Sequence, residues 1–109
     1  MTDNVARIIE VLKAIPIGAV VSYGEVAASA GVPRGARLVA RVLHSMSKRY
    51  SLPWHRVVRV DRRIALHRGG GFELQKTLLE AEGWVISDEG EIHGTDTTIH
   101  NGTVSLKTL

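Results

Sequence analysis

At 109 residues the chain is long enough for one domain with a modest core and too short for two. Its 44% apolar content excludes disorder throughout, and the lack of any cysteine excludes disulfides, thiolate metal sites and thiol catalysis together. Net charge is only +3, yet ten of the 14 basic residues fall between Arg34 and Arg68 against a single acid, Asp61. Such a density repels itself unless it meets solvent or an anion.

The elements follow in chain order. Met1-Thr2-Asp3-Asn4 shows no basic segment leading into an apolar stretch, so no signal peptide is expected. No apolar run approaches the roughly 18–20 residues of a membrane span, and a cytoplasmic location without membrane contact is the default expectation. Val5, Ile8, Ile9, Leu12 and Ile15 recur at helical spacing, with Thr2 or Asp3 to cap the start and Pro16 to stop it. Ala19-Val20-Val21 reads as a short extended piece. Ser22 opens a second helix, with Glu25 completing a capping box, an inner face of Val26, Ala27 and Ala30, and Gly31 as the residue past its end.

Val32-Pro33-Arg34-Gly35 makes a turn into a third helix, predicted from Gly35 to Ser47. Its buried stripe is Val39, Val42, Leu43 and Met46, and its opposite stripe is Arg37, Arg41, His44 and Lys48. A short helix, a tight turn and a helix with one cationic face form a helix-turn-helix pattern, which many ordinary helical hairpins share. Val57 to Ala65 reads as a strand, a turn around Asp61-Arg62-Arg63 and a short return. Gly69-Gly70-Gly71 forms a loop that serves either its own geometry or close approach to a ligand. A last helix is predicted from Phe72 to Glu82, with Leu74, Leu78, Leu79 and Ala81 inward and Gly83 ending it. Val85-Ile86 and Glu91-Ile92 can pair across Asp88-Glu89-Gly90. From His93 onward no period is sustained, so the expected organisation is a folded domain over 1–92 and a flexible polar tail over 93–109.

Several chemistries are poorly served by these residues. The histidines, His44, His55, His67, His93 and His100, fall in no metal-binding spacing, so no metal and no cofactor are expected. Ser51, His55 and Glu82 could be imagined as a triad, but the Gly-x-Ser-x-Gly turn is absent. A His55 hydrogen-bonded to Glu82 or to a backbone carbonyl is the simpler reading. Arg68-Gly69-Gly70-Gly71 lacks the Lys-Ser or Lys-Thr of a phosphate loop.

Nucleic acid remains. Gly18-Ala19-Val20-Val21-Ser22-Tyr23-Gly24-Glu25-Val26-Ala27, Ala36-Arg37-Leu38-Val39, Pro53-Trp54-His55-Arg56-Val57-Val58-Arg59, Gly70-Gly71 and Leu78-Leu79-Glu80-Ala81-Glu82-Gly83 occur in one order. In that order and spacing they resemble the O6-alkylguanine-DNA alkyltransferases over about Val5 to Gly83. The Pro-Cys-His-Arg-Val signature of that family stands here as Pro53-Trp54-His55-Arg56-Val57. The N-terminal domain of the larger alkyltransferases is not expected here, and the sequence resembles specifically the alkyltransferase-like proteins, which carry Trp in place of Cys. The implied fold is mainly α, a helix-turn-helix (winged-helix-like) DNA-binding domain with a small β hairpin.

The resemblance implies roles, each beside a plainer alternative. Arg37 matches an arginine finger that fills the gap left by an extruded base, a task suited to a planar cation; otherwise it is an exposed helix arginine. Tyr23 matches the residue beside the target phosphate, or is a half-buried core aromatic. Ser22 lies at the same helix start, where backbone N–H groups suit a phosphate. Trp54 matches the alkyl-acceptor position and lines a base pocket, or fills the core. His55 and Glu82 match the partners that activate the thiol; with no thiol they brace the Pro53–Val57 segment and catalyse nothing. Arg68 occupies the loop over the pocket, where active alkyltransferases usually have tyrosine, and either stacks on the lesion or meets a phosphate. Arg34, Arg41, Lys48 and Arg49 are expected phosphate contacts.

The implied activity is recognition of O6-alkylguanine in duplex DNA by nucleotide flipping, with no alkyl transfer because indole offers no nucleophilic lone pair. The recognition helix is expected to approach the minor groove and bend the duplex. Implied partners are alkylated double-stranded DNA and nucleotide excision repair proteins, with the chain acting as a monomer. The alternative from another class is a helix-turn-helix regulator that reads sequence in the major groove.

Overall fold

Thr2 caps the first helix, α1 (Asp3–Lys13), by accepting the Val5 N–H at 3.2 Å, and Asp3 and Lys13 sit at the ends that the helix dipole favours for their charges. The structure is a computed structural model that describes residues 2–94. After Pro16 come β1 (Val21–Ser22), α2 (Tyr23–Ser29), α3 (Ala36–Tyr50), a 3-10 turn at Trp54–Arg56, β2 (Val57–Val58), α4 (Phe72–Ala81), β3 (Val85–Ile86) and β4 (Ile92–His93). The mainly helical fold expected from the sequence is the one observed. No described helix is long and apolar enough to cross a membrane.

Strands β1 and β2 pair in parallel, Val21 with Val57 and Ser22 with Val58, and this small ribbon divides the interior. Successive residues of a strand face opposite ways. Val21 and Val57 accordingly join the cluster under α1, α2 and α3, built on Ile8, Leu12, Val26 and Val39. Val20 and Val58 face the other cluster, with Ile64, Phe72, Leu79, Trp84, Ile86 and Ile92. The ribbon is a wall shared by two cores. Burying each such aliphatic side chain stabilises the fold by roughly 1.5–3 kcal/mol.

Most boundaries fall near their predicted places, and three assignments need correction. The predicted return strand after Val57–Val58 does not pair with β2. Both valines are almost fully buried and take β1 as partner, while the turn closes on itself through Arg59 N–H to the Arg63 carbonyl at 3.0 Å. The returning segment instead bonds to the chain's end, with Ile64 N–H on Gly90 O and Ile92 N–H on Arg62 O, both at 2.9 Å. The hairpin that does form is β3–β4, in the register Val85 to His93 and Ile86 to Ile92. His93, expected to open the tail, is therefore part of a strand. The rest of the expected tail, 95–109, lies outside the described residues.

The third correction concerns α4. Its inner face is Phe72, Gln75 and Leu79, whereas Leu74 is 55% exposed and Ala81 is exposed. The polar Gln75 was invisible to an apolar period, yet it is buried because its amide has partners. Helix α3 also runs past Ser47 to Tyr50, since nothing in Ser47-Lys48-Arg49-Tyr50 breaks a helix; Ser51 then turns left-handed at φ 52°.

Candidate nucleic-acid interface

The connection from α2 to α3 is held tightly by local chemistry. Ser22 and Glu25 form the full capping box at the start of α2 (Ser22 N–H to Glu25 Oε1 2.7 Å, Glu25 N–H to Ser22 Oγ 3.1 Å). The Ser22 side chain is thus committed to the cap and buried, so any phosphate there would meet backbone. After α2, the Val32 N–H returns to the Ala27 carbonyl at 2.9 Å and the Gly35 N–H to the Val32 carbonyl at 2.9 Å. A Cβ on Gly35 would lie 2.7 Å from both the side chain and the carbonyl of Val32, so only glycine lets α3 start so close to the turn.

That turn sets the azimuth of α3. Val39 and Val42 face the core, Leu43 and Met46 pack partly against it, and Arg37, Arg41, His44 and Lys48 are exposed on the other side. Arg34, at φ 66°, and Arg49 extend the same cationic surface. None of Arg34, Arg37, Arg41, Lys48 or Arg49 has a carboxylate within ion-pair distance among the described residues.

Beside this face lies an open cleft of about 870 Å³. One wall is α3, the opposite wall is the Leu66–Gly71 segment with the start of α4, and Trp54 and Leu52 stand between them. Tyr23, the first residue of α2, closes one edge and is half-buried, which pushes its phenol pKa upward. The indole of Trp54 is partly exposed and meets the His55 ring edge-on, centroids 6.1 Å apart. Gln75 fixes the segment that carries it by donating to the His55 and Val57 carbonyls at 3.0 and 3.1 Å.

His55 and Glu82 do not line the cleft. They form the brace anticipated for them, His55 Nε2 lying 2.8 Å from Glu82 Oε2. Arg56, the next residue of the same motif, completes it: its guanidinium holds Glu82 at 2.8–3.2 Å and donates to the Ile15 carbonyl at 2.9 Å. The Gly18 N–H adds a further bond to Glu82 at 3.0 Å. Burial by itself would raise the Glu82 carboxyl, but the hydrogen bonds from Arg56, His55 and Gly18 outweigh it and hold the pKa at about 2. Three residues from two chain segments, Gly18 and the His55–Arg56 pair, thereby converge on one carboxylate.

Arg68 also lies off the cleft. Its guanidinium covers the Phe72 ring at 4.6 Å and donates to the Asp88 carbonyl. The loop it belongs to is closely packed: Gly71 takes φ 113°, and a Cβ there would lie 2.7 Å from Leu66 Cδ1. Gly69 donates to Glu73 Oε1 at 3.0 Å, which holds that carboxyl below its usual range. The glycines thus serve loop geometry. Of Trp54, Tyr23, Arg68, His55 and Glu82, the residues that the resemblance groups at a lesion pocket, the structure brings Trp54 and Tyr23 together on the cleft, which His44, Ser47, Leu66 and Leu74 also line. A positional stripe could have offered His44. The others depend on how α4 and the loop pack against α3.

Among the described residues no cluster of three or more His, Cys, Asp or Glu could hold a metal ion.

Residues 3–84 match the family model of the 6-O-methylguanine DNA methyltransferase DNA-binding domain. The chain is 43% identical to the DNA base-flipping protein of Escherichia coli over 86 residues, which cover 79% of this chain and 66%, just under two thirds, of that protein. It is 39% identical over 92 residues to the DNA base-flipping protein of Vibrio parahaemolyticus, covering 84% of this chain and 91% of the other. Among solved structures, S. pombe Atl1 in complex with damaged DNA containing O6-carboxymethylguanine superposes with a TM-score of 0.72 at 30% identity, over 87% of this chain and 91% of that one.

Proposed function

This chain belongs to the 6-O-methylguanine DNA methyltransferase DNA-binding family, and from that membership we propose that it recognises O6-alkylated guanine in duplex DNA by turning the damaged nucleotide out of the helix, and transfers nothing. The observation that carries the reading is Trp54 lining an open cleft beside a cationic helix face that has no carboxylate partner among the described residues. A flipped base needs a pocket with an aromatic or apolar surface, and the duplex it leaves needs cations along its backbone. Both lie on one side of this molecule.

Alkyl transfer needs a nucleophile at the pocket. The family motif puts one where Trp54 stands, the chain contains no cysteine, and the residues that would activate a thiol are spent on bracing: Glu82 is held ionised by Arg56 as much as by His55. In this reading Arg37 fills the vacated stack, and Arg34, Arg41, Lys48 and Arg49 contact phosphates. Arg68 swings from Phe72 to cover the flipped base, or stays and leaves that role to Trp54. The bound lesion, held by a monomer, is then handed to nucleotide excision repair while active alkyltransferases are kept away.

Equilibrium binding to duplexes identical but for one O6-methylguanine tests the reading, and a clear preference for the damaged duplex is expected. Equal affinity would return the protein to the class of sequence-reading regulators. Incubation with labelled alkylated DNA should leave the label on the DNA, and labelled protein would refute the absence of transfer.

A further inference from the structure

Trp54 rides on a short support. The 3-10 turn Trp54–Arg56 is closed by the Arg56 N–H on the Pro53 carbonyl at 3.0 Å and the Val57 N–H on the Trp54 carbonyl, too little to hold an indole by itself. The remaining ties are tertiary and come from two sides. On one side Glu82 holds the His55 and Arg56 side chains. On the other, Gln75 in α4 gives both protons of its amide to the main chain, to the His55 carbonyl at 3.0 Å and the Val57 carbonyl at 3.1 Å. Those carbonyls lie one and three residues after the indole. Gln75 is 1% exposed and lines the cleft together with Trp54. With both protons committed, its carboxamide has a single orientation.

The two sides differ in what they grip. Glu82 acts on side chains that do not line the cleft, whereas Gln75 grips the backbone that carries the indole. Between Phe72 and Leu79 on the inner face of α4, an amide is unfavourable unless it is bonded, and here both of its bonds go to the Trp54 turn. Taking the lesion-binding reading above as its premise, we propose that Gln75 is a positioning residue for lesion recognition. It sets the height and tilt of the Trp54 indole against the flipped base, and so the margin by which damaged duplex is preferred. A gap of about 0.5–1 Å forfeits about a quarter to a half of a dispersion contact, so an indole that rocks on a loosened turn loses much of its grip. The phosphate-driven affinity of α3 does not depend on it.

Gln75→Met keeps the length of the side chain and removes both donors. The second tryptophan, Trp84, is buried in the other core, and its Nε1 has no hydrogen-bond partner among the described residues. Trp84→Phe therefore leaves Trp54 as the lone indole without breaking such a bond. In that background the complete chain is measured in two ways: its affinity for duplexes identical but for one O6-methylguanine, and the fluorescence anisotropy decay of Trp54 in the free protein. Gln75→Met should lower the damaged-to-undamaged affinity ratio about fivefold, the lower end of a base–aromatic contact, and add a fast local rotation to the indole. Leu79→Val trims the same buried face of α4 but breaks no bond to the Trp54 turn, so it controls for lost stability and should do neither. Should Gln75→Met not fold, Gln75→Asn, one methylene too short to reach both carbonyls, is read in the same way. A Gln75 variant in which either the ratio or the indole is unchanged overturns this inference, as does a ratio that falls equally in Leu79→Val; the preference of the unaltered protein then keeps the parent reading standing. An unaltered protein that shows no preference for the damaged duplex overturns both.

Discussion

The two halves of the molecule use the same residue types in opposite ways. From Arg34 to Arg49 the basic side chains stand on or beside α3 without a carboxylate in reach among the described residues. From Arg56 to Lys76 most are matched: Arg56 to Glu82, Arg59 to Asp61, Arg62 to Glu25, Arg63 to Glu91 and Lys76 to Glu80, with Arg68 laid on Phe72. In sequence these form one basic stretch. In space four of its ten basic residues are already paired with carboxylates, three of which come from elsewhere in the chain. Only the unmatched half is left for a polyanion, and the two halves should respond differently to substitution.

The largest effect is expected in the matched half. Glu82→Gln replaces the carboxylate shared by His55, Arg56 and Gly18 with a neutral amide that has one acceptor oxygen and leaves a partly buried guanidinium without its counter-charge, at a cost of about 3 kcal/mol in unfolding free energy measured by denaturant titration. The same group sets an acid dependence. Its folded pKa of about 2 lies below the usual 4.5, so its stabilisation is complete above pH 4.5 and is lost as pH falls from there toward 2. Glu82→Gln should flatten the stability profile over that window, and an unchanged slope would mean that the brace contributes little.

In the unmatched half, binding should change and stability should not. Arg37→Ala is expected to weaken binding to a lesion-bearing duplex about tenfold or more, because gap filling is lost along with charge, while unfolding free energy stays within about 0.5 kcal/mol. Lys48→Ala should lose less on an O6-methylguanine duplex. Equal losses would reduce Arg37 to an ordinary phosphate contact.

Trp54 lies at the junction. Trp54→Ala should lower the preference for damaged over undamaged duplex, by about 1–2 kcal/mol if the indole contacts the flipped base, and leave most of the salt-sensitive affinity in place. An unchanged preference would make the indole a structural support of the cleft only.

How much of this was legible beforehand follows from the range of each interaction. Thr2, the Ser22–Glu25 box and the α3 stripes are local, decided within four residues, and they stand where periodicity and capping put them. Val57 shows the limit: its extended conformation was readable, but its partner is Val21, and no local signal separates that from a hairpin with the Arg63 strand. The cleft is further out of reach. Trp54 and Tyr23 are marked by a motif, whereas Leu66 and Leu74 line the cleft only through the packing of α4, and the apolar period alone turns Leu74 inward. Arg68 was placed over the pocket by its loop, but that position could not anticipate the ring of Phe72 beneath it. Nor could composition divide the basic stretch, because Glu25, Glu82 and Glu91 lie outside it.

The smallest expected effect tests that division most directly. Removing one cation that meets a phosphate should lower the slope of log affinity against log salt by about 0.9 for duplex DNA, because one fewer counterion equivalent is released. Arg41→Gln, on the unmatched face, should show that decrement. Arg59→Gln should show almost none, because Asp61 already holds Arg59 at 3.0 Å and its charge adds little net field. Both residues are exposed, so neither substitution should disturb the fold, and the comparison is made within one protein at one salt series. If the two variants shift the slope equally, the ion pairs of the 56–63 segment open on binding, and the boundary between matched and unmatched cations is a property of the free protein alone.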